Sequence, residues 1–525
     1  MDAVYQPRAR LRRVLLLAVL VAACRDDAAP RRPLPAPPRS WPLDVFLASQ
    51  AWEIADVDAS GRLLANEWIR GAARAVRIAA GGSRELLAPG ERSSHRALAA
   101  LAGDEVLVEL APVSEGTPSR LSIASGHGAP RTLPAADASR FLSADRDGQR
   151  LWVASAGADG LERLLEISRT GSGRELVEAP PGFRFAAVTR DGALAAMVRP
   201  VGPGADEVVL VDRPGGERRL LLPTGADGRF SVLRFSDDAR RLLVAADDGS
   251  ELARLEWLDL DSGGRSPALA APECAALGVR AASGVAVADL VCTGARRAAV
   301  LDTGTPPWQG RLPPESTVTA ALPAGAGAWW LELSGPASAR DLCRLDADGV
   351  LVPLTWALAP RLEPTALVHP AVESLSLGDV RVPVEVWRPR GVARAAAIWL
   401  EDDGAPPRWG EFHPLHAFLA ARGVLVLRLR PRGSDGFTRA LREAGGEDRL
   451  AAAALDAERA AAQARALAGG AVPIALVVEG ARWQTLATPE GPDPFALRHA
   501  LGAPPSFDAL AGAGRALEAA LLDRR

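Results

Sequence analysis

A turn followed by a short apolar run recurs about every 45 residues through the first two thirds of this chain. The intervals between successive turns are 42, 45, 44, 47, 45 and 43 residues. A unit of this length holds four short strands, which need neighbouring units to bury both faces of their sheet. Seven units predict a seven-bladed β-propeller over residues 41–364, closed by a strand from 350–356 or from 44–52. The turn positions are Gly61, Gly103, Gly148, Gly192, Ala239, Gly284 and Gly327.

Acidic residues before these turns admit two interpretations. Asp56 and Asp58 before Gly61 match part of a calcium-binding loop, but the distal glutamate of such a loop is missing. Because Asp145 and Asp237 stand at the same phase of later units, we interpret all of them as turn-forming side chains. The sequence therefore predicts no metal site.

Two cysteines of the sixth unit lie one hairpin apart. In an oxidising compartment Cys274 and Cys292 would form a disulfide, and two buried free thiols are the alternative. Cys343 has no cysteine near it in the sequence.

From residue 365 to 525 the pattern changes to apolar strands that alternate with helices. A hairpin pattern over 372–390 precedes apolar runs at 395–400, 424–430 and 473–478. Short continuous apolar runs between helical segments are typical of parallel strands buried on both faces. This region therefore reads as an α/β domain that follows the propeller.

One motif makes this α/β domain more specific. An Arg-Gly pair precedes the strand at 424–430, and Arg-Gly-Ser-x-Gly-Phe follows it. The arrangement resembles the signature of the prolyl oligopeptidase (S9) family of serine peptidases, in which a β-propeller caps an α/β-hydrolase and restricts it to short peptides. The resemblance implies that the motif is a structural turn. Its positions here are Arg422, Gly423, Arg432, Gly433, Ser434, Gly436 and Phe437.

The position of that family's nucleophile holds a carboxylic acid in this chain. Alignment on residues 485–487 puts Glu479 at the serine, with Val477 and Ala481 where the family has glycines. A neighbouring histidine cannot activate a carboxylate as it activates a hydroxyl, and the larger flanking residues disfavour the strained turn that displays the nucleophile. Both the nucleophile and its geometry are therefore expected to be lost.

The loop that helps form the family's oxyanion hole is replaced by Glu401, Asp402 and Asp403. Three carboxylates would repel a developing oxyanion instead of stabilising it. The family's triad aspartate and histidine come from later strands, and the 38 residues after Ala487 contain one histidine, His499, in the predicted next strand. We therefore expect a degenerate, C-terminally truncated hydrolase-like domain.

Two further groups of polar residues in this domain are interpreted as structural. His413 and His416 lie three apart with Glu411 nearby, which fits the first turn of a helix better than a metal site without a further ligand. Asp456 lies in an Ala-rich helix predicted over 450–467, and we interpret it as a helix or cap contact and not as a catalytic acid.

The N-terminus predicts export and lipidation. Basic residues over 8–13 precede an apolar run over 14–21 that is too short to span a bilayer comfortably. Cys24 ends the predicted signal segment, residues 1–24, with a sequence that resembles a lipobox. The resemblance implies cleavage before Cys24 and a lipid-modified N-terminal cysteine; an uncleaved anchor or a buried cysteine is the alternative. Residues 25–40 are rich in proline and arginine and read as a tether. The expected location is the bacterial cell envelope, periplasmic or surface-exposed.

Three functions remain open at this point. The chain is a non-catalytic lipoprotein that binds a peptide or protein partner, an active peptidase of acylaminoacyl, dipeptidyl or prolyl oligopeptidase type, or a decaying gene product. The separate changes at nucleophile, oxyanion loop and C-terminus favour the first or the third. A net charge of −3 gives no basic field for nucleic acid, and no cofactor is predicted.

Overall fold

A computed structural model provides the structure of residues 41–522 with short gaps. The predicted signal peptide, Cys24 and the tether lie outside the described residues. The gaps are 71, 88–93, 111–118, 127, 138, 146, 203–204, 213–215, 224–227, 272, 283–284, 293–294, 302–306, 309–311, 314, 337, 378–379, 402–408, 435–437, 447, 488–494 and 502–506.

Seven small antiparallel sheets form the seven blades that the repeat predicts. Within each sheet the strands pair in chain order, and the sixth sheet has three strands among the described residues where the others have four. Helix α1 (Leu43–Leu47) precedes them. The strands are β1 (Ala51–Val57), β2 (Leu63–Ile69), β3 (Ala72–Ile78), β4 (Arg84–Leu86), β5 (His95–Ala100), β6 (Val106–Leu110), β7 (Arg120–Ala124), β8 (Arg131–Asp137), β9 (Ser139–Ala144), β10 (Arg150–Ala156), β11 (Glu162–Ser168), β12 (Gly173–Glu178), β13 (Arg184–Val188), β14 (Leu194–Gly202), β15 (Ala205–Asp212), β16 (Arg218–Leu222), β17 (Phe230–Phe235), β18 (Arg241–Ala246), β19 (Arg254–Asp259), β20 (Arg265–Pro267), β21 (Cys274–Ala282), β22 (Val285–Cys292), β23 (Ala295–Val300), β24 (Thr317–Gly325), β25 (Ala328–Gly335), β26 (Ser338–Leu345) and β27 (Leu351–Pro353).

The repeated turn is the hairpin between the first two strands of each blade. Its marked residue has a positive φ at all six positions that the structure describes, from 58° at Ala239 to 78° at Gly327. In the first blade Asp58 Oδ1 accepts hydrogen bonds from the backbone N–H groups of Ser60 (2.9 Å) and Arg62 (3.0 Å). The acidic residues therefore act on the backbone of the turn, as the recurring phase indicates.

The ring is closed by side chains and not by a shared strand. Of the two segments expected to supply the closing strand, 350–356 contains β27, the last strand of the seventh blade, and 44–52 runs into β1, the first strand of the first blade. Between several blades, a side chain of one blade accepts a hydrogen bond from a backbone N–H in the inner strand of the next. Glu332 of the seventh blade does this to the first, and Trp330 donates to the carbonyl of Gly61 at 3.3 Å. The pairs are Asn66 with Ala97, Glu162 with Phe185, Asp206 with Phe230 and Glu332 with Ile54.

The C-terminal region forms a six-stranded sheet in the order β28-β29-β31-β30-β32-β33. The hairpin β28–β29 pairs antiparallel with β31, and the remaining pairs are parallel. The strands are β28 (Ala371–Leu377), β29 (Val380–Trp387), β30 (Ala395–Leu400), β31 (Val424–Leu429), β32 (Ile474–Glu479) and β33 (Leu497–Leu501). The helices are α2 (Pro414–Ala421), α3 (Arg439–Glu443), α4 (Arg449–Ala468) and α5 (Phe507–Leu522), with 3-10 helices at Pro364–Ala366 and Ala481–Ala487.

Helices cover both faces of this sheet. α4 packs its buried alanines on one face, and α2 with α5 lies on the other. α1 joins the second group, because the rings of Phe46 and Phe418 meet edge to face with centroids 5.6 Å apart. No helix among the described residues is long and apolar enough to cross a membrane.

The propeller contacts the α/β domain directly. Arg442 of α3 forms a 2.8 Å ion pair with Asp247 of the fifth blade. The backbone of Trp409 forms a parallel bridge with Ala295 at the start of β23 in the sixth blade. These contacts place the ends of the parallel strands next to the propeller.

Candidate functional site

The α2 side of the sheet carries charged and aromatic side chains where the opposite side is apolar. Strand register explains this, since Glu385 pairs with Arg428, Arg428 with Trp399, and Trp399 with Val477. Side chains of paired residues share a face, and alternate residues of one strand share it too. Glu401 and Glu479 therefore extend the same cluster at the carboxyl ends of β30 and β32.

A buried arginine joins two buried glutamates at the centre of the cluster. Arg428 Nη2 lies 2.6 Å from Glu401 Oε1, and Arg428 Nη1 lies 3.3 Å from Glu385 Oε2. Arg430 Nε lies 3.5 Å from the second oxygen of Glu401. Burial raises the pKa of Glu385 despite the attraction of Arg428. Burial alone would lower the pKa of Arg428, but the attraction of Glu401 and Glu385 outweighs it and raises that pKa.

The remaining oxygens of these glutamates accept bonds from fixed donors. The indole N–H of Trp409 donates to Glu401 Oε2 at 2.9 Å, and the backbone N–H of Gly410 donates to Glu385 Oε1 at 2.6 Å. The indole of Trp387 donates to Glu385 Oε2 at 3.1 Å. Glu401 is therefore held in a buried network, whereas the predicted neighbours Asp402 and Asp403 lie outside the described residues.

Glu479 ends β32 at the position where the resemblance places the nucleophile. Its Oε2 accepts a 3.0 Å hydrogen bond from the indole N–H of Trp399. The positive φ of this turn falls on Gly480 (90°) and not on Glu479, and a 3-10 helix follows. The backbone therefore turns one residue later than an elbow that displays residue 479 on a strained turn would require.

The two histidines pack between the indoles. His413 is the N-cap of α2, where its Nδ1 accepts a 3.2 Å hydrogen bond from the backbone of His416. The two imidazoles stack with centroids 3.7 Å apart, and His416 meets Trp399 edge to face at 4.5 Å. Burial and the charge of Arg428 lower the pKa of His413 to about 3. Burial, His413 and Arg428 lower the pKa of His416 too, and neither ring nitrogen of His416 has a hydrogen-bond partner.

The Arg-Gly-Ser turn after β31 is anchored to helix α4. Asp456, fully buried, accepts bonds from the backbone N–H (2.8 Å) and the Nε (2.9 Å) of Arg432. Gly433 has a φ of 88°, and a Cβ on Gly445 would lie 2.4 Å from its Cα. Ser434 is fully buried and its hydroxyl has no hydrogen-bond partner. The turn therefore fixes the end of β31 to helix α4. Gly436 lies outside the described residues.

Other predicted groups lie elsewhere. A disulfide joins Cys274 and Cys292, and Cys343 is a buried free thiol. His499 lies in the edge strand β33, beside Val477 in register. Among the described residues, no group of three or more His, Cys, Asp or Glu side chains is arranged to hold a metal ion.

The sequence interpretation missed Glu385, Arg428 and the indoles that bind the glutamates. A signal for them exists, since an arginine inside the apolar run 424–430 and a glutamate inside β29 must be buried and therefore paired. What the sequence does not show is which charges meet, because the partners come from different strands.

A cavity of about 270 Å³ opens beside the cluster, between the propeller and the α/β domain. Arg428, His413 and Glu411 line it from the α/β side. Arg70 and Arg340 line it from the propeller side.

Neither a protein-family profile nor a curated protein sequence matches this chain. Its structure resembles a puromycin-hydrolysing peptidase of Mycobacterium tuberculosis with a TM-score of 0.69 and 19% identity, covering 91% of this chain and 83% of the other. A prolyl endopeptidase structure gives 0.67 and 14%, covering 90% and 74%. The acylaminoacyl peptidase of Pyrococcus horikoshii gives 0.62 and 13%, covering 84% and 75%. These similarities establish that the chain has the two-part fold of the prolyl oligopeptidase family.

Proposed function

We propose that this chain is a non-catalytic lipoprotein of the cell envelope that uses a prolyl oligopeptidase fold to bind a peptide or protein partner. The observation that carries the proposal is the state of Glu479. The sequence resemblance aligns this residue with the family's nucleophile, and the indole N–H of Trp399 donates a 3.0 Å hydrogen bond to one of its carboxyl oxygens.

The surrounding chemistry supports the loss of hydrolysis. An oxyanion hole needs donors aimed at an empty position where negative charge develops. At the corresponding place Glu401 supplies a carboxyl group, and the nearby donors Arg428 and Trp409 already bind it. A transition state would therefore meet occupied donors and an acidic group.

Ser434 is a poor substitute for the missing nucleophile. It is fully buried in the Arg-Gly-Ser turn, and its hydroxyl makes no hydrogen bond to a base. Nucleophilic catalysis by serine needs an adjacent general base within hydrogen-bond reach. This arrangement favours packing over catalysis.

Hydrolysis assays test this proposal. The full-length chain, solubilised in detergent, should leave puromycin, a proline-containing peptide and an N-acylated peptide intact. The variants Glu479→Ala and Ser434→Ala should give the same background as the unchanged chain. Turnover that either substitution abolishes would show an active site and refute the proposal.

The envelope location rests on Cys24 and needs a separate test. Several acyl chains on one cysteine anchor a protein firmly, whereas a single chain gives marginal binding. Replacement of Cys24 by alanine should release the protein from membranes or leave its precursor unprocessed, as read by fractionation and intact mass. Unchanged fractionation and mass would exclude the lipid anchor.

A further inference from the structure

The cavity between the propeller and the α/β domain is lined by residues from both parts of the chain. Blades 1 and 7 form one wall, and residues 411–413 before α2, Pro414 at its start and Arg428 of β31 form the other. α1 and α5 contribute Leu47 and Leu510. Pockets for drug-sized ligands span roughly 300–1,000 Å³, so a volume of about 270 Å³ suits a smaller molecule.

Glu411 lines the α/β wall of the cavity and carries a buried oxygen without a hydrogen-bond partner. Glu411 is only 6% exposed, and its Oε1 has no hydrogen-bond partner. Native proteins seldom leave a buried carboxyl oxygen without a donor, and such exceptions indicate a missing water, ion or ligand. Its neighbour His413 does not supply a positive charge, because burial and Arg428 lower the pKa of His413 to about 3.

The propeller wall presents the opposite charge. Arg340 is 13% exposed at its side chain, and Glu332 Oε1 lies 3.9 Å from its Nη1. Glu332 already accepts hydrogen bonds from the backbone of Ile54 (3.1 Å) and the hydroxyl of Thr319 (2.8 Å). A guanidinium has five N–H donors, so Arg340 can also bind a carboxylate in the cavity.

The cavity lining also includes apolar side chains. Leu47, Phe412 and Leu510 line the cavity together with Trp68. The indole N–H of Trp68 donates to Glu53 at 3.2 Å, so this ring adds an aromatic surface and no free donor. A ligand that uses all three kinds of group needs a donor for Glu411, an acceptor for Arg340 and an apolar part.

We propose that the cavity binds a free α-amino acid with an apolar side chain, its ammonium group at Glu411 and its carboxylate at Arg340. The inference rests on the proposed non-catalytic function, because the bound amino acid is held and not converted. Glu411 distinguishes this ligand from a simple anion, since Arg70, Arg340 and Arg428 are the other charged residues of the lining, and the volume distinguishes it from a long peptide.

Binding to the full-length chain in detergent tests the proposal. Each of the twenty standard L-amino acids is screened by thermal shift, and the best ones are measured by calorimetry. We expect apolar amino acids such as leucine to bind. Leucinamide, which lacks the carboxylate, and 4-methylpentanoate, which lacks the ammonium group, should bind at least tenfold more weakly.

Variants locate the site. Glu411→Gln and Arg340→Gln should each weaken binding at least tenfold, while the thermal midpoint without ligand shows whether each variant is folded. Glu363→Gln and Arg361→Gln change exposed residues outside the cavity lining and should bind normally.

Three results would overturn the proposal: no amino acid binds at millimolar concentration, binding survives both cavity variants, or dipeptides bind and amino acids do not. These failures differ from a failure of the proposed function. Hydrolysis of a peptide substrate would refute the non-catalytic role, whereas absent binding with absent hydrolysis would refute the ligand alone.

Discussion

The two faces of the C-terminal sheet use opposite means of packing. On the α4 side, Leu476, Val478 and Ile398 meet the small side chains of the helix in a continuous apolar core. On the α2 side, the same strands turn Arg428, Trp399 and Glu479 toward histidines and indoles. The fold requires the first face, because parallel strands buried on both sides need apolar contacts to offset their conformational entropy.

The second face is costly to bury, and the fold alone does not explain it. A buried ion pair contributes little net stability, since desolvation cancels most of the attraction. Arg428 of this group lines the cavity between the propeller and the α/β domain. We infer that this face specifies an arrangement for binding while the other face provides the stability.

Removal of the central cation should have the largest effect. Arg428→Met leaves Glu385 and Glu401 buried without their shared partner, which costs about 3–5 kcal/mol. The triple variant Glu385→Gln, Arg428→Met, Glu401→Gln removes all three charges while the amide oxygens can still accept from Trp387, Trp409 and Gly410, so it should lose less stability than Arg428→Met alone. Urea unfolding monitored by tryptophan fluorescence measures the stability of both variants. Equal losses of stability in the two variants would contradict the account.

A large-to-small substitution on the apolar face should lower the free energy of unfolding slightly less than the loss of Arg428. Leu476→Ala removes a side chain that is 1% exposed and should destabilise the domain by about 2–5 kcal/mol. Leu455→Ala on α4 is the matched control, because Leu455 is 41% exposed and its loss should change stability by less than about 0.5 kcal/mol. If the two substitutions have similar effects, α4 does not cover the sheet as described.

The histidine pair should make the second face sensitive to acid. The folded-state pKa of His413 is about 3 and the unfolded value about 6.5, so the unfolded chain binds more protons between these limits. The contribution of these neutral histidines to the free energy of unfolding should therefore be fully present above about pH 6.5. It should fall as the pH drops toward 3, by up to about 1.4 kcal/mol per pH unit for each such histidine. The thermal midpoint measured across this range tests the slope.

Replacement of the second histidine should reduce that slope and raise stability slightly. His416→Leu removes two buried nitrogens without partners, which should stabilise the domain by about 1 kcal/mol at pH 7 while keeping the backbone donor to His413. An unchanged pH profile in this variant would show that His416 does not contribute to the loss of stability in acid.

The parts predicted from the sequence are those that depend on neighbours in the chain. The seven blades follow from a local repeat, and the helix at Arg449–Ala468 follows from composition. The contact that joins the seventh blade to the first was not predicted, because it depends on Glu332 reaching Ile54, two residues 278 positions apart. Likewise the sequence placed Glu401 through a resemblance but gave no sign that Arg428 would bind it from the next strand.

Fluorophosphonate labelling tests the central claim most directly. Such a probe reacts with an activated serine whatever the substrate, and loss of a triad nucleophile removes about a million-fold of turnover. The full-length chain in detergent should show no labelled serine by mass spectrometry, beside an active serine peptidase labelled in the same tube. Stoichiometric labelling of one serine, lost when that serine is changed to alanine, would contradict the account.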